Sequence, residues 1–326
     1  MRERDAPEPR SHYMKFSVYF ALCVFAAGAI IAGAQTPVKH RVIAQDKGHV
    51  AIIDENGELV WEIPCGHNSH DISVLPNGNL LLNTAPNQVT EVTPDKKVVW
   101  QYTAQPKAPY NGPVEVHGFQ RLKNGLTMVA ETGNLRIVEL DHNYKVVHEI
   151  PITVDHEIPH RDTRLVRKLD NGHYLACHEG DGVVREYDDK GMVVWSYKLD
   201  LNGRPFVDGH DGHGTNVFDA IRLKNGNTMI AGGNNNRVIE VTPEGKIVWS
   251  VDQDELPGVH LQWVTTLEML PNGHLVIGNT HAGPDNPQLI EVTRDKKVVW
   301  TFHDMTHFGN DVAAAEILDV KGHVIR

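Results

Sequence analysis

Cysteine is scarce, with three in 326 residues, and one of them, Cys23, sits inside an apolar leader. Cys65 and Cys177 remain, without CxxC spacing, so there is no disulfide framework and both read as small buried hydrophobes. Stability must come from a large core, which roughly 290 residues beyond the leader can build. Positive charge is also short: 31 Lys and Arg stand against 42 Asp and Glu, a net −11 with histidine neutral. A surface of that sign repels phosphate backbones, which excludes nucleic acid as a partner. No Walker, G-x-G-x-x-G or G-x-S-x-G arrangement occurs, so nucleotide binding and serine hydrolysis have no support. Beyond the leader no long apolar run is found, and a soluble mature chain without a membrane span is expected.

The leader itself has an exported layout. Lys15 precedes "FSVYFALCVFAAGAIIAGAQ", which closes on Ala32, Gly33 and Ala34, as a secretory signal cleaved near Gln35 does. Residues 1–34 are therefore expected to be a signal peptide, with Met14 an alternative start, and residues 35–326 one domain in the periplasm or secreted.

What is abundant is repetition. "VTPDKKVVW" ending at Trp100 returns as "VTPEGKIVW" at Trp249 and "VTRDKKVVW" at Trp300, with looser copies ending at Trp61, Trp195 and His148. The six copies recur at intervals of 39 to 54 residues. Between them lie apolar runs ending in turns such as "VLPNGN", "RLKNGL", "KLDNGH" and "MLPNGH". Asn-Gly accepts the positive φ of a tight hairpin, so each unit reads as four short antiparallel strands, for example "HDISVLP", "NLLLNTA", "QVTEVTP" and "KKVVWQY". Four strands per repeat of this length make a propeller blade, with the last-strand tryptophan as a wedge between blades. The domain begins in mid-blade with "HRVIAQ", "HVAIID" and "ELVWEIP", and "AAAEILDVKGHVIR" holds a first strand. Pairing the two completes a sixth blade and removes the free sheet edges. The expected fold is all-β, a six-bladed β-propeller of four-stranded antiparallel blades closed by its N- and C-terminal strands, and monomeric.

The D-x-x-G-x-x-x-W element at Asp54 to Trp61 and Asp188 to Trp195 resembles the repeat of the pyrroloquinoline-quinone-like propellers. "HDISVLPNGNLLL" resembles the blade start of bacterial arylsulfotransferases. The resemblance covers nearly all of the chain beyond the leader and implies fold; the same grammar serves different functions.

Histidines separate by face. Connectors entering first strands and turns joining second to third strands share one face and carry His49, His67, His70, His117, His156, His160, His178, His210, His213, His260, His281 and His307. The other face has mainly His142, His173, His274 and His323, most of them following a turn glycine. Counted seven back from the turn asparagine, one slot holds His70, His117, Arg164, Phe218 and Thr265 in successive blades, so its identity is not dictated by blade packing.

A small-molecule or carbohydrate site is therefore expected at one mouth of the central channel. Resemblance to the arylsulfotransferases implies sulfuryl transfer, with His70 or His117 as nucleophile or base, Arg164 as oxygen clamp, and His160, His213 and His260 as supporting donors. The chain departs from that family in lacking its additional N-terminal domain. The alternative is metal-assisted lyase or hydrolase chemistry, with ligands drawn from His70, His117, His160, His213 and His260. A third reading is a module that binds glycans or proteins without catalysis. A divalent metal is thus the one cofactor suggested; a quinone is disfavoured, because six blades are short for the eight-bladed quinoproteins. "DGHDGHGTNVFD", with Asp208, Asp211 and Asp219, lacks the alternating ligands of an EF-hand and reads as a glycine-rich lid.

Overall fold

The computed structural model describes residues 38–66, 69–205 and 217–326. Six four-stranded antiparallel sheets surround a central channel. In blade I, Ala314–Ile317 is the inner strand and is followed outward by Val42–Asp46, His49–Ile53 and Leu59–Pro64, with Ala44 paired to Ala315. The ring is closed by strands from the two ends of the domain, as the mid-blade start requires. The inner and outer strands are Ile72–Val74 and Val98–Thr103 in blade II, and Glu115–Arg121 and Val146–Pro151 in blade III. In blades IV, V and VI they are Val166–Lys168 and Val193–Lys198, Asp219–Arg222 and Ile247–Val251, and Trp263–Met269 and Val298–Phe302. The middle strands are almost wholly buried, whereas the outer strands alternate, as expected of a sheet whose last strand faces water on one side.

Adjacent inner strands run side by side without a backbone ladder, and acidic or amide side chains join them. Asp71 accepts from Phe119 N, Gln120 from Lys168 N, Asp219 from Leu267 N, Glu268 from Ile317 N and Glu316 from Val74 N, at 2.8 to 3.2 Å. Between blades IV and V the backbone does this itself, Leu165 N donating to Phe218 O. Arg326 reaches into the channel, 2.8 Å from Glu316 and 2.9 Å from Glu268. Cys65 and Cys177 are buried, as their isolation implied.

Further out, the third-strand glutamate of each of blades II to VI receives a cation from the next. Glu91 takes Arg121, Glu139 takes Lys168, Glu186 takes Arg222, Glu240 takes Arg294 and Glu291 takes His40. His173 and His274 donate to Glu186 and Glu291 from just after their turns, so these histidines of the far face belong to blade packing. Only the ring-closing clamp uses a histidine from the neighbouring blade. Burial opposes the charge on His40, but hydrogen bonds to Glu291 and Asp319 prevail and raise its pKa. A raised histidine stabilises fully below its unfolded pKa near 6.5 and loses that contribution as pH climbs through the folded value. His40→Ala should therefore cost roughly 1–3 kcal/mol at pH 6 and less at pH 8; denaturant melts at the two pH values read this, and equal costs would remove the charge from the account.

Candidate functional site

Three consecutive blades deliver the central side chains. His70 lies two residues before the inner strand of blade II, His117 lies within that of blade III, and Arg164 lies two residues before that of blade IV. The slot counted from the turns brings them together. The His70 and His117 rings meet edge-on at 4.6 Å, and Arg164 Nη1 lies 3.0 Å from His117 Nδ1 and 3.4 Å from His70 Nδ1. Phe218, in the next blade's slot, packs 5.6 Å from His70 and beneath the Arg164 guanidinium. Trp263 and His281 continue the row, whereas Thr265 turns to Thr280 within its own blade. His70 also lines the central cavity with Asp71, Arg167 and Asp219.

Local irregularity sets this geometry. Val116 pairs with Glu131 and Gly118 with Ala130, so His117 is the extra residue of a β-bulge, a device that re-aims a side chain. Gly118 lets the bulge approach blade IV: a Cβ there would stand 2.7 Å from Val166 N and 3.1 Å from Arg164 O. His160 comes from the short 3-10 turn Pro159–Arg161, and its ring centroid is 5.4 Å from that of His117.

Two acids missed in the sequence complete the cluster. Glu115 Oε2 lies 2.9 Å from His117 Nε2 and 2.7 Å from His160 Nδ1. Its spacing of two from His117 on one strand was the available signal, since alternate residues share a face. Glu179, directly after the second strand of blade IV (Tyr174–His178), holds Arg164 through Nε, and both are buried. Nothing in its local sequence marks that role.

His117 faces an acceptor at each nitrogen: Thr163 O lies 2.8 Å from Nδ1, and Glu115 faces Nε2. Burial and then the Arg164 charge hold its pKa down to about 4, so near neutrality it has one proton for two acceptors. Burial opposes ionisation of Glu115, but hydrogen bonds from His117 and His160 prevail and hold its carboxyl well below the usual range. Arg164 Nη1, 3.0 Å from Nδ1, offers a donor on that side, so a proton on Nε2 directed to Glu115 satisfies both nitrogens, and a cation taken up between Glu115 and Nε2 would displace that proton. One ligand atom from each of Glu115, His117 and His160 lies within 4.8 Å of the others. A ligating histidine usually gives its second nitrogen to a carbonyl or carboxylate, as His117 does with Thr163.

The remaining candidates lie elsewhere. His260 bonds Asp254 at 2.6 Å and Gln253 on its own connector, and does not join the cluster. His213, with His210, Asp208 and Asp211, falls in residues 206–216, outside the described residues, as do His67 and the leader. Asp219 is buried in an inner strand as a link to blade VI, so it is not part of a lid. His178 is also buried, bonded to Tyr187 Oη and Asp162 O, and burial lowers its pKa to about 4.

The family model for outer membrane protein assembly factor BamB matches residues 46–302. No curated protein matches the chain. Among solved structures, a protein of unknown function from Bacteroides caccae is 25% identical, over 85% of this chain and 98% of its own, with a TM-score of 0.71. A streptogramin B lyase is 11% identical, over 83% of this chain and 85% of its own, with a TM-score of 0.56. A catalytically inactive His-to-Ala variant of virginiamycin B lyase from Staphylococcus aureus, solved with quinupristin, is 11% identical, over 83% of this chain and 87% of its own, with a TM-score of 0.52. The two lyase likenesses are of fold alone.

Proposed function

We propose that this chain, which belongs to the outer membrane protein assembly factor BamB family of PQQ-like propellers, carries a metal-dependent small-molecule site at one channel mouth. Glu115, His117 and His160 hold a divalent ion, and Arg164, braced by Glu179, receives the anionic part of the substrate. The observation that carries this is the approach of three ligand atoms, two from the inner strand of blade III and one from the connector after it, to within 4.8 Å. Two imidazoles and a carboxylate suit zinc or a first-row metal. Such an ion supplies Lewis acidity or a bound water of lowered pKa, which makes lyase or hydrolase chemistry the matching reaction class.

The protein's own groups have distinct tasks. Thr163 O orients the His117 ring through Nδ1. Glu179 braces the buried Arg164 through Nε, with Nη1 against His70 and His117, so an anionic oxygen would meet this guanidinium only from inside the site. His70, edge-on to His117 and beside Arg164, is placed to move a proton. Sulfuryl transfer through His117 is less well served, because a nucleophilic nitrogen needs an accessible lone pair, and this buried ring has Nε2 against Glu115 and Nδ1 flanked by Thr163 O and Arg164 Nη1. Lyases with the same fold, one of them inactivated by a His-to-Ala change, fit histidine chemistry on such a scaffold. Export to the periplasm or beyond accords with the apolar leader and with the outer-membrane association in the family's name. No helix among the described residues is long and apolar enough to cross a membrane.

The test is metal content and affinity. Protein purified without a histidine tag and dialysed against Zn²⁺ or Mn²⁺ should hold one ion per chain. Glu115→Gln or His160→Ala should weaken binding by about a hundredfold or more, roughly 2.7 kcal/mol. Content far below one ion per chain, or variants that bind as the wild type does, would rule the site out.

A further inference from the structure

Blade III departs from the outer-strand rule at one position. His148 stands where Trp61, Trp100, Trp195, Trp249 and Trp300 stand in the other five blades. In those blades the tryptophan sits in a nest of which two elements recur, each in at least three blades of the five. Its indole N–H donates to a turn carbonyl of the next blade, Trp61 to Pro94, Trp195 to Pro243 and Trp249 to Arg294, each at 2.8 Å. A cation covers the ring: Arg121 over Trp100, Arg222 over Trp195 and Arg294 over Trp249, 4.7 to 5.8 Å from the centroid. The third-strand glutamate anchors that cation.

Between blades III and IV the nest persists without its tryptophan. Glu139 anchors Lys168, which aligns with Arg121 and Arg222, and Asp189 aligns with Pro94 and Pro243 as the turn residue offering its carbonyl. Among the described residues that carbonyl accepts no hydrogen bond. An imidazole is smaller than an indole, and a cavity of about 500 Å³ opens here, lined by Glu139, His148, Lys168, Asn171, His173 and Asp189. Its polar and charged groups are set as the other blades set them around a ring. Buried Tyr174 lies nearly parallel to His148 at 6.3 Å, with Lys168 Nζ 5.0 Å from its centroid and its hydroxyl donating to Glu139.

We propose that this cavity is a binding site for a flat aromatic ring with an N–H at its edge, the indole group being the matching member. The ring takes the place of the absent tryptophan side chain, its N–H directed to Asp189 O and its face toward Lys168. Glu139 and Asp189 outnumber Lys168, so neutral or cationic rings are favoured over anionic ones. The site lies on the perimeter of the wheel, apart from the inner-strand residues of the mouth, and is independent of the metal reading.

Indole itself is the probe, titrated calorimetrically into the full chain, with naphthalene as a ring of similar size that lacks the donor. Saturable binding of one indole per chain is expected, with naphthalene at least tenfold weaker. His148→Trp refills the nest and should raise Tm by about 2–4 °C while weakening indole binding at least tenfold. Absence of saturable indole binding to the wild type overturns the site. Equal binding of naphthalene overturns the role of the carbonyl. Unchanged indole affinity in His148→Trp, or a lowered Tm, overturns the identity of the cavity as a vacated tryptophan nest. The naphthalene comparison stands even if that variant fails to fold.

Discussion

Replacing Asp71 by alanine should destabilise the propeller by about 3–5 kcal/mol, the cost of stranding one partner of a buried ion pair. Both Asp71 oxygens are committed. Oδ2 accepts from Phe119 N at 3.0 Å and from Arg167 Nη1 at 2.7 Å, while Oδ1 accepts from Ile72 N at 3.0 Å and from Arg167 Nη2 at 2.9 Å. One carboxylate thus joins blade II to blade III and neutralises a cation projecting from blade IV. Its removal leaves Asp219 as the remaining buried acid beside Arg167, and that carboxyl is already committed to Leu267 N and Ala220 N. The measurement is urea unfolding, with Arg167→Met added to the same chain. The double variant should recover most of the loss, because replacing both partners of a buried pair by apolar groups is far milder than removing one. A loss below about 1 kcal/mol for Asp71→Ala would mean that water reaches the pair.

The second large effect concerns Arg164. A guanidinium and a dication on the order of 5 Å apart repel by several kcal/mol even at an effective dielectric near 20. The proposed ion therefore binds beside an opposing charge, and an anion bridging the two should assist it. Arg164→Met combined with Glu179→Gln, so that no unpaired carboxylate stays buried, should tighten Zn²⁺ binding in anion-free buffer by at least about tenfold, ~1.4 kcal/mol. The same change should abolish any tightening of the metal by sulfate or phosphate, since the fork that would hold those oxygens is gone. Calorimetric titrations with and without the anion read both effects. Weaker metal binding in the double variant, with the anion response intact, would show that Arg164 supports the ion through structure and takes no part in anion recognition.

The architecture was legible in the sequence because it is periodic. Asn-Gly turns recur in every blade and last-strand tryptophans in five of the six, so an error at one is corrected by the rest. The slot rule also worked where the backbone alone decides position: His70, His117, Arg164 and Phe218 meet as counted. It stopped at the side chains of connectors. His260 lies on the expected face but bonds within its own loop, since strand register does not fix the direction of a connector residue. Glu115 and Glu179 were missed for the complementary reason. Glu115 meets His160 from the following connector besides His117 two residues on, and Glu179 meets Arg164 across its own blade; in a chain with 42 acidic residues a lone glutamate of this kind stands out little. His148 was visible as a looser copy of the repeat, but the space it leaves follows from the neighbouring blade's side chains, which the repeat does not describe.

The closing blade has a consequence for how the wheel is made. Ala44 pairs with Ala315, so this contact joins segments some 270 residues apart, while contacts inside the other five blades are local. Loop-closure entropy and high sequence separation make such pairing late and slow. Five blades can form as the polypeptide emerges, but Val42–Asp46 must wait with a bare hydrogen-bonding edge until its distant partner arrives. That waiting edge is the point at which two unfinished molecules would pair with one another, and so refolding yield should fall as protein concentration rises.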